Sequence, residues 1–315
     1  MNNSIIVLMP TYNGKEYIIS QIESILNQKR VNVHILIRDD GSKDSTVETI
    51  KHMYSKDPRI ELIEGDNIGC VNGFNFLVKE AVKRSDYNYF AFSDQDDVWD
   101  DTKLISGIEY LENSENINKK IPKAYCCNLM ISDCNAKPIR PLFQSRVILN
   151  KSNMLITNKS SGCTMVFNRA MAQLYSKYPA QHPSYHDYWM ALIAIYFGNL
   201  YFDNNCHIFY RQHSNNVVGV HNLLNWKHRV KNQIKILFSK GDNTHIETIK
   251  AFFNEFKNEF SDSDANKIKL VINYKNSIFN KLRILTSKEF YPDYPILKEP
   301  LKHISFVLKV LFSKL

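Results

Sequence analysis

Short apolar runs alternate with amphipathic helical patterns through the first 112 residues of this 315-residue chain. The first helical segment places Ile18, Ile22 and Ile25 on one stripe, whereas the strand-like runs are apolar at consecutive positions. Unbroken apolar strands beside amphipathic helices are typical of a parallel sheet that is covered on both faces. The predicted strands are Ile5–Met9, Val33–Arg38, Ile60–Ile63 and Tyr89–Ser93, and the predicted helices are Tyr17–Gln28, Ser45–Tyr54 and Val71–Lys83.

The alternation is less regular from Lys123 to Arg211, where a polar, proline-containing connection at Pro138–Asn158 separates the elements. The pattern predicts strands at Ala124–Ile131, Thr164–Asn168, Leu200–Phe202 and His207–Arg211, and helices at Arg169–Tyr178 and Asp187–Phe197. Beyond His221 the patterns are helical and basic. We therefore predict an α/β domain at residues 1–220 and a helical C-terminal extension at 221–315.

The excess of positive charge lies entirely in this extension. The chain has a net charge of +8, and residues 221–315 contain 17 Lys or Arg against 9 Asp or Glu, a difference of +8. Two apolar stripes run beside lysines there: Trp226, Val230, Ile234 and Leu237 form the first, and Ile304, Val307, Leu308 and Leu311 form the second. Basic amphipathic helices favour an anionic membrane surface, and the alternative is that the stripes pack on the body of the protein.

No run approaches the roughly 18 apolar residues that span a bilayer, and the chain starts without a basic leader or a cleavage site. We therefore expect a cytoplasmic protein, peripheral at the inner face of the cell membrane. The six cysteines have no paired CxxC spacing, which favours reduced thiols over a disulfide framework or a zinc site.

Polar clusters follow the first three predicted strands, where ligands collect in parallel sheets. Pro10-Thr11-Tyr12-Asn13-Gly14 is a turn in which Tyr12 could stack on a base, unless it is only a tight turn. In the second cluster, Asp44 or Ser45 is a helix cap, which leaves Asp39 and Asp40 without a structural role. The third cluster, Asn67-Ile68-Gly69 with Asn72, opens a helix whose N–H groups could receive an anion.

The fourth cluster is acidic. Asp94, Asp96 and Asp97 follow the apolar run Tyr89–Phe92 directly and repel one another unless a cation or hydrogen-bond donors compensate. Carboxylate oxygens suit Mg²⁺ or Mn²⁺. The alternative is a solvated loop that caps the next helix.

Two further clusters lie in the second half of the chain. His186-Asp187-Tyr188-Trp189 begins an apolar helix, and Tyr210-Arg211-Gln212-His213 follows a short strand. These residues could supply a base, a metal ligand and a cationic phosphate contact. Asp187 could equally be a helix cap, and the two histidines could be structural.

In this order, the motifs resemble the inverting family 2 glycosyltransferases, which have the GT-A fold: a Rossmann-like α/β domain with a mostly parallel sheet and helices on both faces. The resemblance covers about residues 4–218 and includes Ser161-Gly162-Cys163. Ser-Asp-Gln-Asp-Asp-Val-Trp at 93–99, followed by His-Asp-Tyr-Trp at 186–189, is similar to the rhamnosyltransferase branch of cell-wall polysaccharide and O-antigen synthesis. That branch often has two tryptophans where this chain has Tyr188 and Trp189.

The resemblance implies a role for each matching residue. Asp187 is the implied general base, Asp96 and His213 the implied metal ligands for Mn²⁺ or Mg²⁺, and Trp99, His186 and Trp189 the implied acceptor contacts. The implied nucleotide and donor contacts are Pro10, Thr11, Tyr12, Asn13, Asp39, Asp40, Asn67, Gly69, Asn72, Asp94, Gln95, Gly162 and Arg211. Asp97 has no assigned role.

The implied reaction is inverting transfer of a sugar from a dTDP- or UDP-linked donor, with L-rhamnose from dTDP-rhamnose as the favoured case. The implied acceptor is a lipid-linked glycan or a polysaccharide, and a UDP-hexose or UDP-N-acetylhexosamine donor is the alternative within the fold. A rival of another class is a nucleic-acid-associated phosphotransfer protein with the basic tail on phosphates. We expect no nucleic-acid partner, because the basic excess lies far in sequence from the acidic loop. A second rival is an inactive sugar-binding subunit, which is disfavoured because every expected polar position is filled.

Overall fold

The computed structural model describes residues 3–112, 120–181, 184–213, 243–291 and 300–314. They fall into two compact units. The first contains Met1–Gln144, Ser160–Gln181 and Tyr185–Asn216, and the second contains Ser145–Lys159, His182–Ser184 and Val217–Leu315. Compared with the predicted domains at 1–220 and 221–315, the second unit also includes residues 145–159 from the middle of the chain.

The first unit is built on a sheet that contains nine strands among the described residues, with the spatial order β3-β2-β1-β4-β8-β6-β9-β5 and with β7 paired to β6. The strands are β1 (Ser4–Thr11), β2 (Asn32–Asp39), β3 (Ile60–Glu64), β4 (Tyr89–Phe92), β5 (Val98–Trp99), β6 (Lys123–Ser132), β7 (Pro138–Pro141), β8 (Val166–Asn168) and β9 (Asn199–Arg211). Strands β1 to β4 are mutually parallel, as predicted, and β6 pairs parallel with β9.

The helices of this unit are α1 (Ile18–Leu26), α2 (Thr46–Tyr54), α3 (Cys70–Val82), α4 (Lys103–Glu112), α6 (Arg169–Lys177) and α7 (His186–Phe197), and α5 (Lys151–Met154) belongs to the second unit. In β1 every side chain from Ile5 to Met9 is fully buried. Successive strand residues point to opposite faces, so both faces of this strand are covered. The expected α/β architecture is therefore confirmed.

The strand register places the predicted clusters at one edge of the sheet. Thr11 at the end of β1 pairs with Asp39 at the end of β2, and Leu8 pairs with Phe92 at the end of β4. Asp39 in turn pairs with Glu64 at the end of β3. The loops that follow these strands consequently emerge side by side, which is what a parallel sheet requires of its carboxyl ends.

The structure differs from the predicted elements in three respects. The predicted strands Leu200–Phe202 and His207–Arg211 form one strand, β9, whose pairing with β6 shifts register near Asn128. Strand β5 and helix α4 were not predicted, because two strand residues and a short mixed helix carry little periodicity. Part of the predicted connection at Pro138–Asn158 forms β7 and α5.

The described C-terminal elements are helical, as predicted: α8 (Thr244–Glu255), α9 (Asp262–Ile272), α10 (Ile278–Thr286) and α11 (Pro300–Leu311). The predicted stripe that begins at Trp226 lies outside the described residues. In α11 the buried side chains are Phe306 and Val310, whereas Ile304 and Leu311 of the predicted stripe are exposed. No helix in the described ranges combines the length and the apolar character needed to cross a membrane.

Candidate active site

The loops that follow β1 and β2 are tied together by hydrogen bonds. Asn13 has a positive φ of 50°, and its backbone N–H donates to Ser42 Oγ at 2.8 Å. Its side-chain oxygen accepts from the backbone N–H of Lys43, also at 2.8 Å. Of the two predicted caps, Ser45 is the N-cap residue of α2 but makes no side-chain cap bond, whereas Asp44 Oδ1 accepts from the N–H of Thr46 at 3.0 Å. These hydrogen bonds fix the conformation of the loop that carries the exposed Tyr12.

The structure corrects the expectation that Asp39 and Asp40 lack a structural role. Asp39 Oδ1 accepts from the N–H groups of Gly41 and Ser42 at 3.0 and 2.8 Å, which closes the turn after β2. Asp40 is ion-paired with Arg38, and its Oδ2 accepts from the N–H groups of Ile68 and Gly69 at 3.0 and 2.7 Å. The anion held by the N–H groups at the start of α3 is therefore Asp40 itself.

Gln95 connects the acidic loop to the end of β1. Its Oε1 accepts from Thr11 Oγ1 at 2.6 Å and from the Tyr12 N–H at 2.9 Å, and its Nε2 donates to the Tyr12 carbonyl at 3.1 Å. A Cβ at Gly14 would collide with the Gln95 amide, so a larger residue there would displace Gln95 from its bonds to Thr11 and Tyr12. The side chain of Tyr12 remains 41% exposed, which leaves its ring available for stacking.

Two carboxylates of the acidic loop lie close to a buried thiol. Ligand atoms of Asp94, Asp97 and Cys163 all lie within 4.8 Å of one another. Burial, with the charges of Asp96 and Asp187, raises the pKa of Asp94 to about 7. Burial and the same kind of repulsion raise the pKa of Asp97 well above its ordinary value. The loop thus holds more negative charge than its own donors compensate.

Asp97 is fully buried, and its two carboxylate oxygens differ. Oδ1 accepts from the Arg211 N–H at 3.2 Å, whereas Oδ2 has no hydrogen-bond partner among the described residues. A buried carboxylate oxygen without a partner is costly. The set of hard oxygen donors therefore fits a divalent cation, which would relieve the repulsion within the loop.

His213 joins Asp96 at the rim of this cluster. The two side chains meet at 2.8 Å between Nε2 and Oδ2, and the His213 ring stacks on Tyr17 with 4.8 Å between centroids. The Arg211 guanidinium also lies over the Tyr17 ring, 4.8 Å from its centroid. Arg211 donates to the carbonyls of Asp96 and Cys134 at 2.8 and 2.6 Å. These hydrogen bonds hold the acidic loop in place.

Asp187 lies in the second residue of α7, and Tyr185 rather than Asp187 is the helix N-cap. Its Oδ2 accepts from the Gly162 N–H at 3.2 Å and its Oδ1 from the Tyr188 N–H at 2.6 Å. Burial raises the pKa of Asp187 to about 6, and these two donors partly oppose the rise. Gly162, which donates to Asp187, precedes Cys163, and the Cys163 thiol lies within 4.8 Å of ligand atoms of Asp94 and Asp97, so one short segment contacts both the predicted base and the acidic loop.

The remaining predicted residues have differing environments. Trp99, His186 and Trp189, the predicted acceptor contacts, are all buried, and Trp189 Nε1 donates to the Tyr178 carbonyl at 2.8 Å. His186 stacks on Phe74 with 3.8 Å between centroids. Three side chains packed in this way offer an acceptor little surface. Pro10 lies inside β1, and Asn67 and Asn72 are exposed beside Gly69.

Sequence reasoning assigned no role to several residues of the site. Lys103 is fully buried with its ammonium 3.4 Å from the centroid of the Trp99 ring, and burial lowers its pKa to about 8. Burial, with the charges of Asp94, Asp187 and Asp96, raises the pKa of the Cys70 thiol to about 12. Neither residue belongs to a spaced motif, so only their tertiary position identifies them. All six cysteines are free, as expected.

The first strands of the sheet are parallel, and the acidic loop lies at their carboxyl ends, which is the arrangement expected of the GT-A fold. Residues 6–173 match the model of glycosyl transferase family 2. This match covers more than half of the chain, so the protein belongs to that family and is a glycosyltransferase, an enzyme of EC class 2.4. The resemblance read from the motifs is confirmed.

Two characterised relatives illustrate the range within the family. The dTDP-rhamnosyl transferase RfbG of Shigella flexneri is 29% identical over 222 residues, which cover 67% of this chain and 73% of the relative. The UDP-Glc:alpha-D-GlcNAc-diphosphoundecaprenol beta-1,3-glucosyltransferase WfgD of Escherichia coli is 28% identical over 189 residues, covering 59% of this chain and 68% of the relative.

Solved structures support the fold. S. aureus TarS 1-349 in complex with UDP matches with a TM-score of 0.54 at 13% identity, covering 98% of this chain and 90% of that one. The mannosyltransferase PcManGT of Pyrobaculum calidifontis, solved with GDP-Man and Mn²⁺, matches with a TM-score of 0.51 at 14% identity, covering 99% and 85%. At these identities the likeness establishes the GT-A fold.

Proposed function

We propose that the protein transfers a sugar, with inversion, from a nucleotide-sugar donor to a glycan acceptor in cell-surface polysaccharide synthesis. The observation that supports this proposal is that the Gly162-Cys163 segment contacts both Asp187 and the acidic-loop residues Asp94 and Asp97. A carboxylate whose pKa lies near 6 is ionised at neutral pH and remains basic enough to accept a proton from an attacking hydroxyl.

In the proposed reaction Asp187 accepts the proton of the acceptor hydroxyl, and that oxygen bonds to the anomeric carbon. The bond from this carbon to the diphosphate oxygen breaks on the opposite face, so a single displacement inverts the configuration. The N–H groups of Gly162 and Tyr188 hold the Asp187 carboxylate in place. A positioned base of this kind contributes about 10²–10⁴ in rate.

Asp96 and His213 would hold Mn²⁺ or Mg²⁺. When bound, the ion stabilises the negative charge that develops on the leaving diphosphate. Asp94 would contact the ribose or the donor sugar, beside Gln95. Tyr12 would stack on the base and Thr11 would lie at its edge. Asp40 would act through its bonds to the Ile68 and Gly69 N–H groups, which hold the start of α3 beside the nucleotide.

We propose dTDP-rhamnose as the donor and a lipid-linked or polysaccharide glycan as the acceptor. The RfbG relative, named as a dTDP-rhamnosyl transferase, supports this donor. The WfgD relative, named as acting with UDP-Glc on a diphosphoundecaprenol-linked sugar, supports a lipid-linked acceptor and makes a UDP-hexose or UDP-N-acetylhexosamine the alternative donor.

A donor panel tests this proposal directly. Purified protein is mixed with individual dTDP-, UDP- and GDP-sugars and an acceptor extract, and nucleotide release is followed with Mn²⁺, with Mg²⁺ and with a chelator. We expect metal-dependent release confined to dTDP-rhamnose. Release from a UDP-sugar alone would identify that sugar, rather than dTDP-rhamnose, as the donor. Release from none of the donors would contradict the proposed glycosyl transfer.

The Asp187→Asn variant tests the base. We expect it to lose transfer by about 10²-fold or more while donor binding, measured by calorimetry, stays within about twofold. The matched control is Asp86→Asn, an exposed carboxylate just before β4 at the other end of the strands. An active Asp187→Asn enzyme would overturn the role of Asp187.

A further inference from the structure

The second unit carries a cluster of exposed apolar side chains on two helices. On α10, Phe279 is 75% exposed and Ile278 and Leu282 are also exposed, while Ile284 is its buried residue. At the end of α11, Leu311 and Phe312 are exposed, with Phe312 at 53%. Large apolar side chains rarely lie together in water without a purpose.

The two helices present these side chains from neighbouring positions. Lys281 Nζ, on α10, donates to the Leu311 carbonyl at the end of α11 at 2.9 Å. Phe306 and Val310 are the side chains that α11 buries. The exposed residues therefore belong to the face that the described part of this unit leaves to solvent. We call Ile278, Phe279, Leu282, Leu311 and Phe312 the apolar face.

The apolar face lies within a strongly basic part of the chain. Residues 275–291 and 300–314 contain seven Lys or Arg and a single acidic residue, Glu289. Glu289 is paired with Lys267 at 2.6 Å, so its charge is locally compensated. Lys281 lies between Phe279 and Leu282 in the sequence, and its ammonium contacts the Leu311 carbonyl, which places this cation beside the apolar face.

We propose that this apolar face docks the protein onto an anionic lipid bilayer, with the aromatic and aliphatic side chains inserted at the headgroup boundary and the surrounding lysines on lipid phosphates. Apolar side chains in a basic segment, with the Lys281 ammonium beside Leu311, match an anionic membrane surface. A nucleic acid would match the cations but not the apolar side chains. A second copy of the chain would bring two cationic surfaces together, which is unfavourable.

This inference rests on the proposed function only for the reason that the protein would bind a membrane, which is that lipid-linked acceptors reside there. Its test requires neither donor nor turnover. The full chain is co-sedimented with vesicles of phosphatidylcholine alone and with vesicles containing about 30% phosphatidylglycerol. We expect at least about tenfold stronger partitioning onto the anionic vesicles, and a loss of that preference at high salt.

The double variant Phe279→Ser/Leu282→Ser should reduce partitioning by about tenfold or more, since binding scales with the apolar area inserted. The matched control is Met53→Ser, a 51% exposed apolar residue on α2 in the other unit, which should bind as the wild type does. Lys281→Gln/Arg283→Gln should weaken binding to anionic vesicles and leave the weak binding to neutral vesicles unchanged.

Three outcomes would overturn the inference. They are a wild-type chain that binds neither vesicle, an apolar-face variant that binds as the wild type does, and a concentration-dependent dimer that the variant abolishes while vesicle binding persists. Metal-dependent donor hydrolysis, measured on the same samples without vesicles, should be equal in all variants. Loss of hydrolysis in the wild type would count against the proposed function alone, and loss of vesicle binding against the docking surface alone.

Discussion

His207 is held between two carboxylates, and its removal should change how the stability of the first unit depends on pH. His207 Nδ1 lies 2.8 Å from Asp100 Oδ2, and Nε2 lies 3.3 Å from Asp203 Oδ2. Burial alone would lower the pKa of His207, but the two carboxylates outweigh it and raise the pKa to about 9. This clamp joins the loop after β5 to strand β9.

A rise from 6.5 to about 9 corresponds to about 3 kcal/mol of stability. Because the Asp100 side chain is about one-third exposed, we take about 2 kcal/mol as the measurable value. A raised histidine pKa contributes stability that is complete below pH 6.5 and is lost as the pH rises through about 9. The wild type should therefore lose this increment between pH 6 and pH 10.

Urea unfolding of the wild type and of His207→Gln at pH 6, 8 and 10 measures the effect. The difference in unfolding free energy between the two proteins should be largest at pH 6 and should shrink by about 2 kcal/mol at pH 10. Any part that is independent of pH reflects the unpaired, buried Asp203. His34→Gln is the control: burial lowers the pKa of His34, so its removal should have the opposite pH dependence. An equal difference at all three pH values would refute the reasoning.

Three further outcomes are expected. The kcat/KM for transfer should fall about tenfold for each pH unit below about 6 as Asp187 is protonated, and a flat profile down to pH 4.5 would contradict this. Asp96→Ala should lose metal-dependent donor binding by about tenfold or more; equal nucleotide affinity with and without chelator in the wild type would argue against a metal at Asp96. Gly162→Ala should lower kcat by at least about tenfold, because the new Cβ would collide with His186 Nε2 next to Asp187. A wild-type kcat would show that the loop around Gly162 can shift without disturbing the base.

The strand-and-helix alternation of the first half was predictable because its periodicity is strong. The chain places consecutive apolar residues in β1 and amphipathic stripes in α1, and the structure has both elements. Strand β5 was missed because a two-residue strand has no periodicity of its own. The same limit explains why β9 was divided at its register shift, where polar residues interrupt the apolar pattern.

The roles of Asp39 and Asp40 show what a motif cannot specify. The motif identified both as functional candidates, but their oxygens are bonded to backbone N–H groups of the same turn and of the start of α3. Those partners are fixed by loop conformation rather than by sequence spacing. The sequence likewise could not specify that Trp189, a predicted acceptor contact, is buried, because its burial depends on how α7 packs.

The sequence by itself determined the class of fold and proposed the edge of the sheet for the candidate site, with the carboxylates at 94, 96 and 187, because strand periodicity and local motifs are short-range properties. Only the tertiary structure decided which of these groups face one another. It placed Cys163 and Lys103 against the acidic loop, raised the pKa of Asp187, and left Phe279 exposed. The physical reason is that burial and charge coupling depend on contacts between residues far apart in the chain, which no local pattern encodes.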